Sequence, residues 1–110
     1  PEPATPQQVA QATLVCLRRT VPAAVPGINF LSGGQTEATA TANLQALNAT
    51  AKKQPWVLSF SYGRALQASV LQTWSGEAAN KSLAQQELYK RARLNSAATQ
   101  GKYTVAMENE

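Results

Sequence analysis

Histidine and aspartate are both absent from this chain of 110 residues, and Cys16 is its only cysteine. The Ser-His-Asp and Cys-His arrangements of nucleophilic hydrolases both need histidine, so these residues hold neither. A single cysteine cannot form an internal disulfide, and the usual zinc sites need several cysteine or histidine ligands. The simplest interpretation of Cys16 is a small residue of the hydrophobic core, and the alternative is a reactive thiol.

Aromatic residues are also few, at 6% of the chain, and the ten Lys and Arg that give a net charge of +4 are scattered. A nucleic-acid site of the stacking type needs aromatic and basic residues together. No apolar run approaches the ~20 residues that cross a bilayer, and the N-terminus lacks the pattern of a signal peptide. We therefore expect neither a nucleic-acid partner nor a membrane partner. The first residue, Pro1, is not methionine, which indicates a piece of a longer protein.

The residues that are present alternate between short apolar runs and segments with helical periodicity. In chain order they predict helix 6–20, strand 28–31, helix 37–48, strand 56–60, a helix from 64 that stops at 75–76, and helix 81–99. Each strand leads into a helix, so the two strands should be parallel with right-handed crossovers. Because parallel sheets are buried on both faces, two strands need an oligomer or, the favoured interpretation, a larger α/β sheet or barrel.

Several local features refine this pattern. Thr5 and Thr36 are typical N-caps, and Asn80 is predicted to cap the last helix. In that helix Glu87 and Arg91 have the spacing of a favourable ion pair. The polar residues 105–110 lack periodicity and are predicted to form a flexible C-terminal tail.

Small residues and one cation follow the ends of the two predicted strands, namely Ser32, Gly33, Gly34, Ser61, Gly63 and Arg64. The carboxyl ends of neighbouring parallel strands share one edge of a sheet, so these residues should lie close together. Glycine lets backbone N–H groups approach an anion, and a helix N-terminus favours one. Arg64 is expected in the first turn of a helix, where the dipole disfavours a cation unless an anion is bound between them. The alternative for Arg64 is a side chain that faces solvent or pairs with a carboxylate.

Together the two strand ends predict a phosphate-binding corner of a (β/α)8 barrel, because loops after the last two strands of such barrels often bind phosphate. Three stretches are more specific: Thr-Val-Pro-Ala-Ala-Val-Pro-Gly at 20–27, Phe-Leu-Ser-Gly-Gly-Gln at 30–35, and Ser-Phe-Ser-Tyr-Gly-Arg-Ala-Leu-Gln at 59–67. With Asn95-Ser96 and Gln-Gly-Lys-Tyr at 100–103, they resemble the C-terminal part of class I fructose-1,6-bisphosphate aldolase. The resemblance covers residues 6–104.

That resemblance implies that the two strands are strands 7 and 8 of the (β/α)8 TIM barrel. Residues 1–104 would be the C-terminal part of this barrel, which is incomplete alone. The six residues at the strand ends would then hold the 1-phosphate of the sugar. Thr36 stands where the family more often has serine, and the chain ends in Glu110 rather than in the tyrosine typical of animal and plant members.

The same resemblance implies an activity, the reversible cleavage of fructose 1,6-bisphosphate to dihydroxyacetone phosphate and glyceraldehyde 3-phosphate. It implies a Schiff base on a buried lysine and no metal or other cofactor. None of the five lysines here is expected at a strand end, where burial could lower its pKa, so no catalytic residue is assigned and the segment alone should be inactive. The resemblance also implies a homotetramer in the cytoplasm, and it leaves open a plastid or other organelle and a preference for fructose 1-phosphate.

Two other interpretations compete with the aldolase. The first is a non-enzymatic phosphate-binding or interaction module whose basic residues, Arg18, Arg19, Lys90, Arg91 and Arg93, bind an acidic partner. Such a module should supply its own sheet, whereas only two strands are predicted here. The second is another Schiff-base sugar-phosphate barrel, such as a transaldolase, which the Ser-Tyr-Gly-Arg stretch disfavours.

Overall fold

A computed structural model describes residues 2–50 and 53–110. Its elements, in chain order, are α1 (Pro6–Thr20), β1 (Gly27–Phe30), α2 (Glu37–Asn48), β2 (Val57–Phe60), α3 (Arg64–Trp74), a 3-10 turn (Ala78–Asn80), α4 (Lys81–Thr99) and a 3-10 helix (Val105–Asn109). The order of helices and strands is the predicted one. Both strands differ from the prediction at their ends, since β1 begins and ends one residue earlier and β2 begins one residue later. No helix in these two ranges is long and apolar enough to cross a membrane.

The two strands pair in parallel, with Gly27 opposite Val57 and Phe30 opposite Phe60. The ladder continues past the strand ends, because Ser61 N–H donates to the Phe30 carbonyl at 2.8 Å. A Cβ added at Gly27 would lie 3.2 Å from the Val57 carbonyl oxygen. Glycine therefore allows the two strands to approach closely where their pairing begins. The predicted parallel neighbours are therefore confirmed.

Helix α2 lies at the centre of the hydrophobic packing. Its Leu44 belongs to one buried cluster with Phe60 and Leu94, which joins α2 to β2 and α4. Its Leu47 belongs to a second cluster with Ala10 and Leu14 from α1, Leu58 from β2, and Trp56 just before β2. The two clusters pack α1 and α4 against α2.

The prediction that Cys16 lies in the core is wrong, because its side chain is exposed. Helix α1 buries only the face that carries Ala10 and Leu14. Cys16 lies two residues beyond Leu14, which is about 200° around a helix of 3.6 residues per turn. It therefore points away from the buried face.

Two of the three predicted caps are confirmed by their hydrogen bonds. Thr5 and Gln8 form a capping box, and Thr36 Oγ1 accepts from Thr39 N–H at 3.1 Å. The prediction for Asn80 is wrong, because its side chain donates to the Trp74 carbonyl instead of capping α4. Asn80 closes the preceding 3-10 turn with φ −93° and ψ 3°, whereas a capping residue is usually extended.

The C-terminal residues make specific contacts with α4. Tyr103 is buried, and its hydroxyl donates to the Glu108 carboxylate at 2.8 Å. Lys90 Nζ donates to the Glu108 carbonyl, and Arg91 binds the same carboxylate. Sequence patterns did not predict these contacts, and the flexibility of residues 105–110 stays a prediction.

Gly101 ends α4 where only glycine fits, and its replacement is expected to destabilise the fold more than a matched change elsewhere. Gly101 has φ +72°, and an added Cβ would lie 3.0 Å from the Asn48 carbonyl oxygen. Gly76 has the same conformation, φ +73°, with nothing within 4 Å of its Cβ position. We expect Gly76→Ala to cost ~1 kcal/mol from the left-handed backbone, and Gly101→Ala to cost a further ~1–3 kcal/mol from the clash. Equal melting temperatures for the two variants would contradict the predicted clash.

Candidate functional site

The loops that follow the two strands meet at one end of the sheet, as the sequence predicted. Ser32, Gly33 and Gly34 lead from β1 towards α2, while Ser61 and Gly63 lead from β2 into α3. Since Phe30 pairs with Phe60, both loops leave the sheet at the same level. The structure therefore brings together the residues that were assigned to the site, and the role of each in binding phosphate stays a prediction.

Ser32 joins the two loops directly. Its side chain is buried, and its Oγ accepts a hydrogen bond from the Ala65 N–H at 3.3 Å. Helix α3 begins after Gly63, which has no side chain to cap it. Ser32 thus supplies from the β1 loop an acceptor that α3 lacks, and its hydroxyl proton is left to donate to a bound anion. Sequence reasoning missed this contact, because the two residues are 33 positions apart.

The glycines leave an open face at this end of the sheet. Gly34 has φ +82° in a turn closed by a 3.1 Å hydrogen bond from Gln35 N–H to the Ser32 carbonyl. A left-handed residue at the third position of such a turn favours glycine. Added Cβ atoms at Gly33, Gly34 and Gly63 would meet no atom of the described residues within 4 Å. The space beside these backbone groups is therefore free for a ligand.

Arg64 is the first residue of α3, and its side chain is exposed. Among residues 2–50 and 53–110, the ion pairs join Arg91 and Arg93 to carboxylates, and none involves Arg64. The carboxylate partner that was considered for Arg64 is thus not seen within these ranges. The first turn of α3 contains no acidic residue, whereas α2 has Glu37 in its own first turn. Of these two helix N-termini, the one of α3 therefore lacks a negative charge of its own.

A buried arginine joins α4 to α2 and to the C-terminal 3-10 helix. Arg91 on α4 is only 3% exposed, and its guanidinium binds Glu108, the Glu37 carbonyl and Thr41 Oγ1. The predicted pair with Glu87 is wrong, since Glu87 instead accepts from Ser69 Oγ on α3 at 2.9 Å. The guanidinium of Arg91 is turned towards α2 and the C-terminal 3-10 helix, whereas Glu87 lies against α3.

Asn95 extends this network to the first turn of α3. Its Nδ2 donates to the Ala65 carbonyl at 2.9 Å, and its Oδ1 accepts from Thr41 Oγ1 at 2.8 Å. Thr41 Oγ1 also lies 2.8 Å from the Glu37 carbonyl, but that oxygen already accepts from Arg91. The hydroxyl proton is best assigned to Asn95, because a buried amide oxygen needs a donor.

Burial raises the pKa of Tyr103 to about 12, and its hydrogen bond to Glu108 adds to this effect. The neutral phenol is therefore the form present near pH 7, and it acts there as a donor to the Glu108 carboxylate. Within the described ranges, no group of three or more His, Cys, Asp or Glu residues is placed to hold a metal ion.

Parallel strands that each lead into a helix, with small residues and an exposed arginine after their carboxyl ends, define an α/β protein of the barrel or open-sheet type. The family model of the glycolytic fructose-bisphosphate aldolases of class I matches residues 1–110. The chain belongs to this family, and the resemblance noted from its motifs is confirmed.

Similar proteins agree with this assignment. Over 102 residues the chain is 60% identical to fructose-bisphosphate aldolase, non-muscle type, of Lethenteron camtschaticum. The match covers 93% of this chain and 28% of the relative. Over 99 residues it is 60% identical to fructose-bisphosphate aldolase B of Homo sapiens. This match covers 90% of this chain and 27% of the human protein. The chain therefore spans little more than a quarter of the length of these relatives.

A solved structure shows the same fold. It is the fructose-bisphosphate aldolase of Plasmodium falciparum in complex with TRAP and a small-molecule inhibitor, and it matches with a TM-score of 0.88 and 53% identity. The match covers 94% of this chain and 29% of the other. The helices and parallel strands described above are thus arranged as in part of an aldolase.

Proposed function

We propose that these residues form the C-terminal part of a class I fructose-bisphosphate aldolase and supply its site for the 1-phosphate of the sugar. The full enzyme would cleave fructose 1,6-bisphosphate reversibly to dihydroxyacetone phosphate and glyceraldehyde 3-phosphate. The observation that carries the proposal is Arg64, an exposed cation that directly follows Gly63 at a helix N-terminus without acidic residues. The family match favours this enzyme over the stand-alone module.

The geometry suggests how each group would bind a phosphate. Arg64 would donate two parallel hydrogen bonds to phosphate oxygens, a geometry that guanidinium groups favour. The Ser61 hydroxyl and the backbone N–H groups of Gly33, Gly34 and Gly63 would donate from the two loops. The Ser32 hydroxyl, which already accepts from Ala65 N–H, would donate its own proton. Such a site binds and orients the substrate through a group that does not react.

We also propose that β1 and β2 are strands 7 and 8 of the (β/α)8 barrel, with residues 1–104 in the barrel and 105–110 as its C-terminal tail. Large apolar side chains around this short sheet are open, and Leu31 and Val57 are 78% and 64% exposed. Neighbouring strands and helices of a barrel would cover such side chains. The assembly into a homotetramer and the cytoplasmic location stay predictions of the family resemblance.

The Schiff-base lysine of the full enzyme is proposed to lie outside this segment. Lys53, Lys81 and Lys102 are exposed, and Lys90 donates to the Glu108 carbonyl. Lys52 lies outside the described residues. A lysine that forms an imine near pH 7 needs burial or a cationic neighbour to lower its pKa, and the exposed lysines lack burial.

Reductive trapping tests the proposed chemistry. When the full-length enzyme is treated with dihydroxyacetone phosphate and borohydride, we expect one lysine to be modified, and peptide mass spectrometry should place it outside residues 1–110. The control omits dihydroxyacetone phosphate and should leave all lysines unmodified. The chain alone should show no cleavage activity. Modification of a lysine within the segment would contradict the proposal, and the absence of any trapped lysine would refute the class I activity.

A further inference from the structure

The residue after Arg64 is held in place by two side chains from distant elements. Ala65 is buried, its N–H donates to Ser32 Oγ, and its carbonyl accepts from Asn95 Nδ2. Ser32 comes from the β1 loop, and Asn95 comes from the C-terminal part of α4. The first turn of α3, which presents Arg64, is therefore fixed from both sides of its backbone.

Asn95 is in turn held by Thr41 on α2. Both side chains are fully buried, and the Thr41 hydroxyl donates to Asn95 Oδ1 at 2.8 Å while it accepts from Arg91 Nη2 at 2.7 Å. A second connection runs from the carboxylate of Glu37 on α2 to the N–H of Ser69 on α3. The Thr41 hydroxyl and both polar atoms of the Asn95 amide are paired, and buried polar groups that are paired in this way specify one arrangement.

We propose that Thr41 and Asn95 are positioning residues for the phosphate site. They do not reach the open face; they hold the first turn of α3 so that Arg64 and the Gly63 N–H meet the β1 loop at a fixed distance. This inference rests on the proposed function of that loop pair. Gly63 has no side chain to cap α3, so loss of these hydrogen bonds would let the first turn of α3 fray. Phosphate binding would then have to order this turn, and its affinity would be lower.

The test compares Thr41→Val with Thr41→Ser in the full-length enzyme, with inorganic phosphate as a competitive inhibitor. Valine keeps the shape of threonine and removes the hydroxyl, whereas serine keeps the hydroxyl. We expect Thr41→Val to raise the inhibition constant of phosphate and the KM of fructose 1,6-bisphosphate by about three- to tenfold, with kcat within about twofold. Thr41→Ser should bind phosphate nearly as the unmodified enzyme does.

Thr39→Val is the matched control, because Thr39 lies on the same helix with an exposed side chain. It should leave the inhibition constant unchanged. If Thr41→Val lowers the melting temperature without changing the inhibition constant, Thr41 contributes only to stability and the proposal is wrong. It is equally wrong if Thr41→Ser is impaired as much as Thr41→Val, since the hydroxyl would then not be responsible.

Asn95→Asp provides a second variant if Thr41→Val does not fold. The carboxylate still accepts from Thr41 but has no N–H for the Ala65 carbonyl, so the same weakening of phosphate binding is expected. Arg64→Gln, measured in parallel, tests the phosphate site separately from the positioning role of Thr41 and Asn95. If Arg64→Gln leaves phosphate binding unchanged, the phosphate site itself is wrong. If Arg64→Gln weakens phosphate binding but Thr41→Val and Asn95→Asp do not, the phosphate site is supported and the positioning role is wrong.

Discussion

Replacing Arg64 with glutamine in the full-length enzyme is expected to raise the inhibition constant of inorganic phosphate by about 10- to 100-fold. Hydrogen bonds to charged groups are stronger than neutral ones, and Arg64 would donate two of them to one phosphate. No other cation among the six assigned residues would remain to compensate. Competitive inhibition and the KM of fructose 1,6-bisphosphate measure the effect, at one fixed ionic strength because salt screens exposed charges.

Stability should not follow this loss of binding. Arg64 is exposed in the first turn of α3, where the helix dipole disfavours a cation by ~0.3–1 kcal/mol. Without a ligand, the Arg64→Gln variant should therefore melt at the same temperature as the unmodified enzyme or slightly above it. A variant that binds phosphate weakly and is as stable as before has lost a ligand contact and not its fold.

Two further variants control for charge. Arg64→Lys keeps the positive charge but loses the two-pronged geometry, so its phosphate binding should lie between those of arginine and glutamine. Arg93→Gln removes another exposed arginine, one that pairs with Glu110 at 3.0 Å, and it should leave phosphate binding unchanged. If Arg64→Gln binds phosphate as tightly as Arg93→Gln, Arg64 is not a phosphate ligand.

Local interactions explain why much of the fold could be predicted from the sequence. The caps at Thr5 and Thr36 depend on residues three positions away, and the helix-after-strand order requires a parallel pair. The meeting of the two glycine-rich loops follows from that pairing, so the location of the site was accessible as well. The proposal that this site binds phosphate came from the motif resemblance and from the position of Arg64.

The contacts that support the site could not be predicted, because their partners are far apart in the chain. Ser32 and Ala65 are separated by 33 residues, and Thr41 and Asn95 by 54. The pairing of Arg91 failed for a related reason. Spacing identified Glu87 as a local partner, whereas tertiary packing turned Arg91 towards Glu37 and Glu108. Helix periodicity gives the face on which a residue lies, but not which of several carboxylates approaches it.

Replacing the buried Arg91 with methionine is expected to destabilise the protein by about 2–4 kcal/mol. Removing one partner of a buried ion pair typically costs ~3–5 kcal/mol, since the other charge is left without compensation. Here Glu37 and Glu108 are 16% and 20% exposed, so water can reach both carboxylates in part. Among residues 2–50 and 53–110, Arg91 Nε has no hydrogen-bond acceptor, which also makes the loss of Arg91 less costly. Chemical denaturation of the full-length enzyme at one protein concentration measures the difference.

The matched control is Arg93→Met, because Arg93 lies two residues further along α4 and forms an exposed pair with Glu110. Exposed pairs contribute ~0–1 kcal/mol, so this variant should unfold nearly as the unmodified enzyme does. Arg91→Met should also release Glu108, and hydrogen exchange of residues 105–110 should then become faster. If the Arg91→Met and Arg93→Met variants have equal free energies of unfolding, the prediction is wrong. They would show that the carboxylates around Arg91 reach water without its help, and that other contacts, such as the one between Lys90 and the Glu108 carbonyl, hold the C-terminal residues to α4.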